Sequence, residues 1–244
     1  MSPRILYGFH AVTVRLKIAP ASVLEIHLDP ERRDARMRQF TERAREANVK
    51  LVHSPGAQLD QWAGTSRHQG VLARVQPLAP RHSLDDVLDD ASGAPLVLAL
   101  DGVTDPHNLG ACLRVADGAG AHAVIAPKDH AVGLNATVAK VASGAAETMP
   151  YLMVTNLARA LTEMKERDIQ VVGTSDDATQ TLYDLDLRGP VALVLGAEGS
   201  GLRQLTRKTC DTLVRIPMAG AVESLNVSVA AAVCLYEALR QRSR

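Results

Sequence analysis

The sequence predicts an α/β protein in two parts, a small α/β unit followed by a larger unit built on a mostly parallel sheet. Beyond residue 94, five short apolar segments lack polar alternation, which is typical of strands buried on both faces of a parallel sheet. Helical stretches separate these segments, as βαβ connections require. A Pro-Leu-Ala-Pro run at 77–80 divides the two parts, because proline neither joins a strand ladder nor continues a helix.

The first unit should contain short strands around one amphipathic helix. An apolar run at Val23–Leu28 predicts a strand, and Asp29-Pro30 predicts the start of a helix, because proline is tolerated in a first turn. We expect this helix to reach about Ala47, since apolar residues recur at three-to-four spacing at 37, 40, 44 and 47. Further strands are expected at 49–53 and 69–75, with a helical turn at 58–62.

The segment between the units is predicted to be a linker with one short helix. Ser83 followed by Asp86 resembles a capping box that opens an acidic helix, and a Ser-Gly-Ala-Pro run at 92–95 ends it. The chain is therefore divided into a first domain at 1–76, a linker at 77–93 and a second domain at 94–244.

In the second unit, strands are expected at 96–100, 123–126, 170–173, 191–195 and 213–216. Helices are expected at 109–119, 136–146, 157–167, 201–206 and 224–240. The last helix carries apolar residues on nearly every side, which is typical of a buried helix. Because it ends the chain, we expect it at a subunit interface.

Charge is distributed unevenly along a chain whose net charge is zero. Residues 1–76 hold 12 lysines and arginines against 7 aspartates and glutamates, and residues 77–244 hold 15 against 20. This asymmetry favours an anion-binding first unit, but the arginines at 32, 33, 36, 38, 43 and 45 fit the solvated face of one helix equally well. Aromatic residues form only 3% of the chain, which excludes base stacking as the main mode of any nucleic-acid contact.

Other residue types point to a protein without metal or membrane. The three cysteines, Cys112, Cys210 and Cys234, are isolated and odd in number, which indicates neither a disulfide framework nor a zinc site. The first residues lack the apolar run of a signal peptide, and no stretch approaches 18 apolar residues. We therefore expect a cytoplasmic protein.

Polar residues cluster where predicted strands end and helices begin, which is where α/β proteins bind ligands. Asp105 and Asn108 precede the helix at 109–119, and Arg114 follows in its second turn. Helix capping by either Asp105 or Asn108, with a solvated Arg114, is one interpretation of this segment, and a ligand site is the other. His107 is interpreted as loop structure.

Two glycine-rich runs in the second unit have different contexts. Gly118-Ala119-Gly120 follows a helix and leads into a strand, so it is interpreted as a helix end and turn rather than a dinucleotide fingerprint. A Gly-Ala-Glu-Gly-Ser-Gly run at 196–201 follows a strand and precedes a helix, as a ligand loop would. Its Glu198 would repel phosphate but suits a hydroxyl, an amine or proton transfer; a tight turn with a capping acid is the alternative.

A third polar cluster opens the last predicted helix. Ser224, Asn226 and Ser228 occur together at an otherwise apolar helix start, which is more than capping requires. Because buried polar groups need partners, a ligand is one candidate partner.

These three segments, in this order, resemble the SpoU (TrmH) family of RNA ribose 2′-O-methyltransferases. Residues 108–114, 196–202 and 216–228 are similar to the three motifs of that family, with no departure at the motif positions. Residues 95–241 resemble its catalytic domain, and the first 76 residues resemble the L30e-like RNA-binding domain of some members. The runs at 100–110 and 224–230 are similar to the branch that methylates a guanosine in the P loop of 23S rRNA.

The resemblance implies a SPOUT-type parallel sheet with a C-terminal trefoil knot and a homodimer packed through the knot. It implies S-adenosylmethionine as cofactor and 23S rRNA or a ribosome-assembly precursor as partner. The implied catalytic residues are Asn108, Arg114, Glu198, Ser224 and Asn226. The implied cofactor-binding residues are Thr174, Leu195, Gly196, Ile216, Met218, Leu225 and Ser228.

By the same resemblance, Arg114 contacts the ribose hydroxyl or a nearby phosphate, in some members from the other subunit. A guanidinium is hardly ever deprotonated in proteins, so Arg114 is expected to orient the nucleotide rather than act as the base. Two alternatives stay open: the same reaction on tRNA or another rRNA site, and a non-catalytic RNA- or ribosome-binding module.

Overall fold

The computed structural model describes residues 3–76, 83–197 and 199–243. The chain forms two compact units, Met1–Pro80 and Arg81–Arg244. Of the predicted linker, residues 77–82 lie outside the described part, and residues 84–89 form a helix opened by the expected Ser83–Asp86 capping box.

The first unit is a four-stranded mixed sheet with helices around it. Its elements are β1 (Arg4–Tyr7), α1 (Phe9–Ile18), β2 (Val23–Leu28), α2 (Ala35–Glu46), β3 (Leu51–His53), α3 (Gly56–Ala63) and β4 (Val71–Val75). The sheet order is β1-β4-β2-β3, in which β2 and β3 are parallel and the other neighbouring pairs are antiparallel.

The strand predicted at Val23–Leu28 is confirmed, but the start of α2 was predicted five residues too early. Asp34, and not Asp29, is the N-cap, because its carboxylate accepts a hydrogen bond from the backbone N–H of Met37 at 2.9 Å. The apolar face of α2 is buried as expected through Met37, Phe40 and Ala44.

The sequence interpretation missed β1 and α1. The three-to-four spacing of Phe9, Val12 and Leu16, all buried, could have indicated α1. The ring of Phe9 packs edge-on against that of Phe40, with ring centroids 5.4 Å apart, so α1 and α2 share the core of this unit.

The second unit is a seven-stranded sheet with helices on both faces. Its strands are β5 (Leu96–Asp101), β6 (Ala123–Pro127), β7 (Tyr151–Val154), β8 (Gln170–Thr174), β9 (Gln180–Thr181), β10 (Val191–Gly196) and β11 (Thr212–Arg215). The sheet order is β7-β6-β5-β10-β8-β11-β9, and every neighbouring pair is parallel. Its helices are α4 (Leu84–Asp89), α5 (Pro106–Gly118), α6 (Ala136–Ala142), α7 (Ala145–Thr148), α8 (Leu157–Lys165), α9 (Gln204–Thr209) and α10 (Val227–Arg242).

The central strands are buried on both faces, which explains their continuous apolar sequence. Leu98 and Leu193 belong to the cluster that also contains buried residues of α5 and α10, whereas Val97 and Ala192 belong to the cluster with buried residues of α4 and α8. The sheet is therefore the middle layer of three, and its strand ends lie at the edges of that layer.

All five helices expected in this unit differ from their predicted bounds. The helix expected at 109–119 begins at Pro106, so Asn108 and His107, which was interpreted as loop structure, lie in its first turn. The helix expected at 157–167 ends at Lys165.

The helix expected at 136–146 is broken into α6 and α7, because Ser143 and Gly144 take positive φ angles of 52° and 99°. The helix expected from 201 begins at Gln204, and the last helix begins at Val227 rather than 224. In the last case Asn226 takes the cap position, so Ser224 lies before the helix.

The last helix, α10, is not buried on every side. Cys234, Leu235 and Ala238 are fully buried, whereas Val229 and Tyr236 are about half exposed, at 48% and 50%. One apolar side of α10 is therefore open to solvent in a single chain. Among the described residues, no helix is long and apolar enough to cross a membrane.

Candidate active site

A cavity of about 440 Å³ lies at the carboxyl ends of β8, β10 and β11. This is where an open parallel sheet binds ligands, and the volume falls within the range of small-molecule sites. Apart from Ser228, every residue predicted to bind the cofactor lines this one cavity: Thr174, Leu195, Gly196, Ile216, Met218 and Leu225.

The glycine run after β10 forms one wall of the cavity, and it closes tightly on itself. Gly201 donates its backbone N–H to the carbonyl of Ala197 at 2.9 Å, and Gly199 and Gly201 have φ angles of 78° and 62°. A Cβ atom at Gly196 would overlap the backbone of Gly201. Glycine is therefore required at 196 by close backbone approach, and at 199 and 201 it permits the left-handed turn.

Asp101, the last residue of β5, anchors the far end of this loop. Its fully buried carboxylate accepts hydrogen bonds from the backbone N–H of Arg203 at 2.9 Å and from Arg203 Nε at 2.5 Å. A buried carboxylate is retained only where such partners compensate its desolvation. Arg203 is also the residue before α9, so the ion pair fixes where the loop ends and the helix begins.

Asn108 and Asn226 meet although 118 positions separate them. Neither lines the cavity, but Asn226 lies between Leu225 and Val227, which do. Asn226 Nδ2 donates to Asn108 Oδ1 at 2.9 Å, joining the first turn of α5 to the start of α10. Asn226 also caps α10, since its Oδ1 accepts from the backbone N–H and the hydroxyl of Ser228 at 2.9 and 2.6 Å. At α5 the cap is Asp105, whose carboxylate accepts from the backbone N–H of His107 at 3.0 Å. Asn108 is therefore not needed for capping.

The two predicted serines have different surroundings. Ser224 is exposed and lines the cavity, as a residue that contacts a ligand would. Ser228 does not line it, and its hydroxyl is already committed to Asn226. The geometry therefore gives Ser228 a supporting role toward Asn226 rather than direct contact with a ligand.

Arg114 stands apart from the other predicted catalytic residues. It is exposed on α5, does not line the cavity and makes no hydrogen bond or ion pair to the part of the chain that the structure describes. On a helix, six residues place it roughly 120° around the axis from Asn108. Within one chain, Arg114 therefore does not join the pair of Asn108 and Asn226.

Glu198 lies outside the described residues, and its predicted role stays a prediction. Its neighbours Ala197 and Gly199 both line the cavity.

A charged group at the cavity was missed in the sequence. Arg207 of α9 donates to both carboxylate oxygens of Asp177 at 2.9 Å and to the hydroxyl of Ser175 at 2.8 Å. Hydrogen bonds from Ser175 and Arg207 hold the pKa of Asp177 below its ordinary value, so this carboxylate stays ionised at neutral pH. Asp177 lies in the loop between β8 and β9, where no periodic pattern marked it.

Metal and thiol chemistry have no support in the described residues. No cluster of three or more His, Cys, Asp or Glu side chains there could hold a metal ion. Burial raises the pKa of the Cys112 and Cys234 thiols to about 12, which keeps both protonated.

The fold and the cavity define an α/β enzyme that binds a small cofactor at the carboxyl edge of a parallel sheet. Residues 95–236 match the model of the SpoU rRNA methylase family, and residues 5–81 match that of the RNA 2′-O ribose methyltransferase substrate-binding domain. The chain belongs to the SpoU rRNA methylase family.

Similar proteins span nearly the whole chain. The 23S rRNA (guanosine-2′-O-)-methyltransferase RlmB of Ralstonia nicotianae is 61% identical, covering 98% of this chain and 96% of the relative. The protein of the same name from Burkholderia is 60% identical over 98% and 97% of the two chains. The crystal structure of the SpoU methyltransferase AviRb from Streptomyces viridochromogenes, in complex with the cofactor AdoMet, superposes with a TM-score of 0.73 at 26% identity, covering 99% and 91%.

Proposed function

We propose that this protein transfers the methyl group of S-adenosylmethionine to the ribose 2′-OH of a guanosine in 23S rRNA. The observation that carries the proposal is the cavity at the ends of β8, β10 and β11, which gathers six of the residues implied for the cofactor. The full-length similarity to rRNA methyltransferases supports the substrate. A reaction on ribosomal RNA also favours a cytoplasmic location.

The residues that line the cavity suit S-adenosylmethionine. Leu195, Ile216 and Leu225 offer apolar surface for an adenine ring. Thr174 offers a hydroxyl for its ribose, and the carboxylate of Glu223 suits its positive charge. When bound, the cofactor supplies an activated methyl group on a sulfonium.

The chain itself has to hold the ribose hydroxyl in line with that methyl group. Such positioning is worth roughly 7–11 kcal/mol in favourable cases. Asn226 and Asn108 are fixed to each other at the start of α10, and Ser224 faces the cavity. We assign these three side chains to orientation of the target nucleotide, together with Glu198.

We infer that Arg114 completes this site from a second copy of the chain. It is exposed and unpaired within the described chain, as a residue that acts on a partner's substrate would be. The half-exposed Val229 and Tyr236 of α10 supply an apolar surface for a homodimer. Arg114 would there orient the nucleotide and stabilise the developing alkoxide, since a guanidinium does not accept the proton.

Mixed dimers test this inference. We expect Arg114→Ala and Asn226→Asp each to be nearly inactive, and an equal mixture to recover about a quarter of wild-type activity, because half the dimers are mixed and each then holds one intact site. Activity is measured as methyl transfer after denaturing and refolding the two variants together. A mixture as inactive as its components would mean that Arg114 acts within its own chain.

The reaction is tested with labelled S-adenosylmethionine and two RNAs, a 23S fragment that spans the P loop and bulk tRNA. A 2′-O-methylated ribose resists alkaline cleavage, which needs the free hydroxyl. We expect a single resistant guanosine in the 23S fragment. Label only in tRNA would support methyl transfer as the reaction but would contradict 23S rRNA as the substrate.

Absence of label from naked RNA would direct the same assay to ribosome-assembly precursors. If those also stayed unlabelled while the protein bound RNA, the chain would be a binding module and the proposed reaction would be wrong.

A further inference from the structure

A second, smaller cavity lies in the first unit, in the groove between α1 and α2. It has a volume of about 170 Å³. Its apolar floor is the buried pair Phe9 and Phe40, each 3% exposed. Its polar walls carry His10 and Thr13 of α1 opposite Arg36, Gln39 and Arg43 of α2.

The two arginines of this groove are free to bind an anion. Both are exposed, and among the described residues no carboxylate pairs with either. The guanidinium carbon of Arg36 lies 4.7 Å from the centroid of the Phe9 ring, a cation–π contact that restrains the side chain while its N–H groups stay available.

The neighbouring Arg32 has a different role, although it contacts the same ring at 4.8 Å. Its Nε donates to Asp34 at 2.7 Å, and its Nη1 donates to the carbonyl of Gln69 at 2.7 Å. Arg32 is therefore committed to the structure of the unit, and Arg36 and Arg43 are not.

The groove suits phosphate rather than bases. All of its polar lining groups can donate hydrogen bonds, and none is acidic. Arginine matches phosphate oxygens through its planar fork of donors. The rings of Phe9 and Phe40 are too buried to stack on bases, so the groove lacks the usual platform for unpaired bases.

The spacing of the arginines fits a nucleic-acid strand. Arg36 and Arg43 are seven residues apart, so they lie on one side of α2 and roughly 10 Å apart along its axis. They can therefore contact separate phosphates of one strand. Contacts of this kind give affinity and register without sequence specificity.

We propose that the groove between α1 and α2 binds the phosphate backbone of the RNA substrate through Arg36 and Arg43. This assignment rests on the proposed function, which supplies RNA as the ligand. It also decides between the two interpretations of the arginine-rich helix: the Arg36 side binds anions, and the Arg38 and Arg45 side is solvated.

The test compares two double variants of the full chain, Arg36→Gln/Arg43→Gln and Arg38→Gln/Arg45→Gln. Both remove two charges from α2, but Arg38 and Arg45 lie roughly 180° around the helix from Arg36. Affinity for the 23S fragment is measured by fluorescence anisotropy over a range of salt concentrations. S-adenosylmethionine binding and thermal melting report whether the fold is intact.

We expect the groove variant to lose tenfold or more in affinity at low salt. The slope of log affinity against log salt should be smaller in magnitude by about 1.5. The variant makes two fewer phosphate contacts and therefore releases fewer counterions when it binds. The control should stay within about threefold of wild type, since solvent screens its distant charges. Turnover should persist in the control variant, whose residues lie outside the groove.

Equal losses in the two variants, or no loss in either, would overturn the groove assignment. The single variant Arg43→Gln guards against a folding defect, because the cation–π contact of Arg36 with Phe9 is kept; it should show about half of the slope change. A wild type that binds through the groove without methylating 23S rRNA would overturn the proposed reaction only. Failure of the wild type to bind the RNA at all would overturn both.

Discussion

Asn226 serves two purposes at once. Its side-chain oxygen Oδ1 caps α10, and its side-chain nitrogen Nδ2 donates a hydrogen bond to Asn108. The sequence interpretation treated capping and ligand contact as alternatives for this cluster, and the structure shows that one amide group supports both a cap and a polar pair at the cavity. The two purposes can be separated because aspartate keeps the capping oxygen and loses the donor.

We predict that Asn226→Asp will fold normally and methylate poorly. Its unfolding free energy should change by less than about 0.5 kcal/mol, because aspartate caps as well as asparagine does. Its kcat/KM should fall on the order of 10- to 100-fold, because the loss of the bond to Asn108 releases the nucleotide-orienting pair. Urea unfolding and single-site methylation assays measure the two effects.

The matched control is Asn156→Asp, the same change at the cap of α8. Asn156 accepts from the backbone N–H of Arg159 at 3.0 Å and does not line the cavity. It should leave both stability and kcat/KM near wild type. Equal activity losses at 156 and 226 would show that the pair with Asn108 is irrelevant to catalysis.

At the scale of elements, the loop between β10 and α9 is held at both ends. At the first end, Gly196, the last residue of β10, packs closely against the backbone of Gly201. At the other end, the buried carboxylate of Asp101 accepts a hydrogen bond from Arg203. The two ends of the loop, on either side of Glu198, are therefore fixed in advance, which reduces the conformational entropy that cofactor binding has to overcome.

We predict that Asp101→Asn will weaken cofactor binding by loosening the far end of the loop. Loss of the charge-assisted bonds to Arg203 should lower the unfolding free energy by about 1–3 kcal/mol. The Kd for S-adenosylmethionine, measured by titration calorimetry, should rise. Asp85→Asn is the control: Asp85 also pairs with an arginine, Arg167, but is 74% exposed, so its loss should cost less than about 1 kcal/mol. An unchanged Kd in a destabilised D101N protein would mean that the ion pair of Asp101 and Arg203 stabilises the fold but does not contribute to cofactor binding.

We predict that Gly196→Ala will abolish cofactor binding, because its Cβ cannot coexist with the backbone of Gly201. Gly189→Ala is the matched control, since a Cβ at that surface position meets nothing within 4 Å. The control should be neutral or stabilise by about 0.4–1 kcal/mol. Calorimetric titration with S-adenosylmethionine distinguishes the two variants, and normal binding by G196A would contradict the close approach.

Burial decided which elements could be predicted. In the second unit, four of the five expected strands are found because they are largely buried and have a nearly continuous apolar sequence, whereas in β11 only Val214 is buried. The two strands missed in that unit, β7 and β9, are the edges of its sheet, and all of their residues are partly exposed. The bond of Asp101 to Arg203 spans 102 positions and follows no period, so one sequence could not reveal it.

In the whole molecule, the two proposed binding sites lie in different units. The second unit holds the cavity that we assign to the cofactor, and the first presents a basic groove. The parallel sheet is confirmed, while the trefoil knot and the homodimer stay predictions. A zero net charge did not exclude nucleic acid, because the positive charge is concentrated in one unit.

In the proposed reaction the methyl group goes to a ribose hydroxyl, while the RNA is bound independently through its phosphates. The most direct measurement is transfer of labelled methyl to two synthetic 23S fragments that differ only at the target guanosine, which is a ribonucleotide in one and a 2′-deoxyribonucleotide in the other. Equal binding of both, with label only in the first, is the expected result. Label at the target deoxyguanosine of the second fragment, located by nuclease digestion, would mean that the base is methylated, and the assignment of the hydroxyl as acceptor would be wrong.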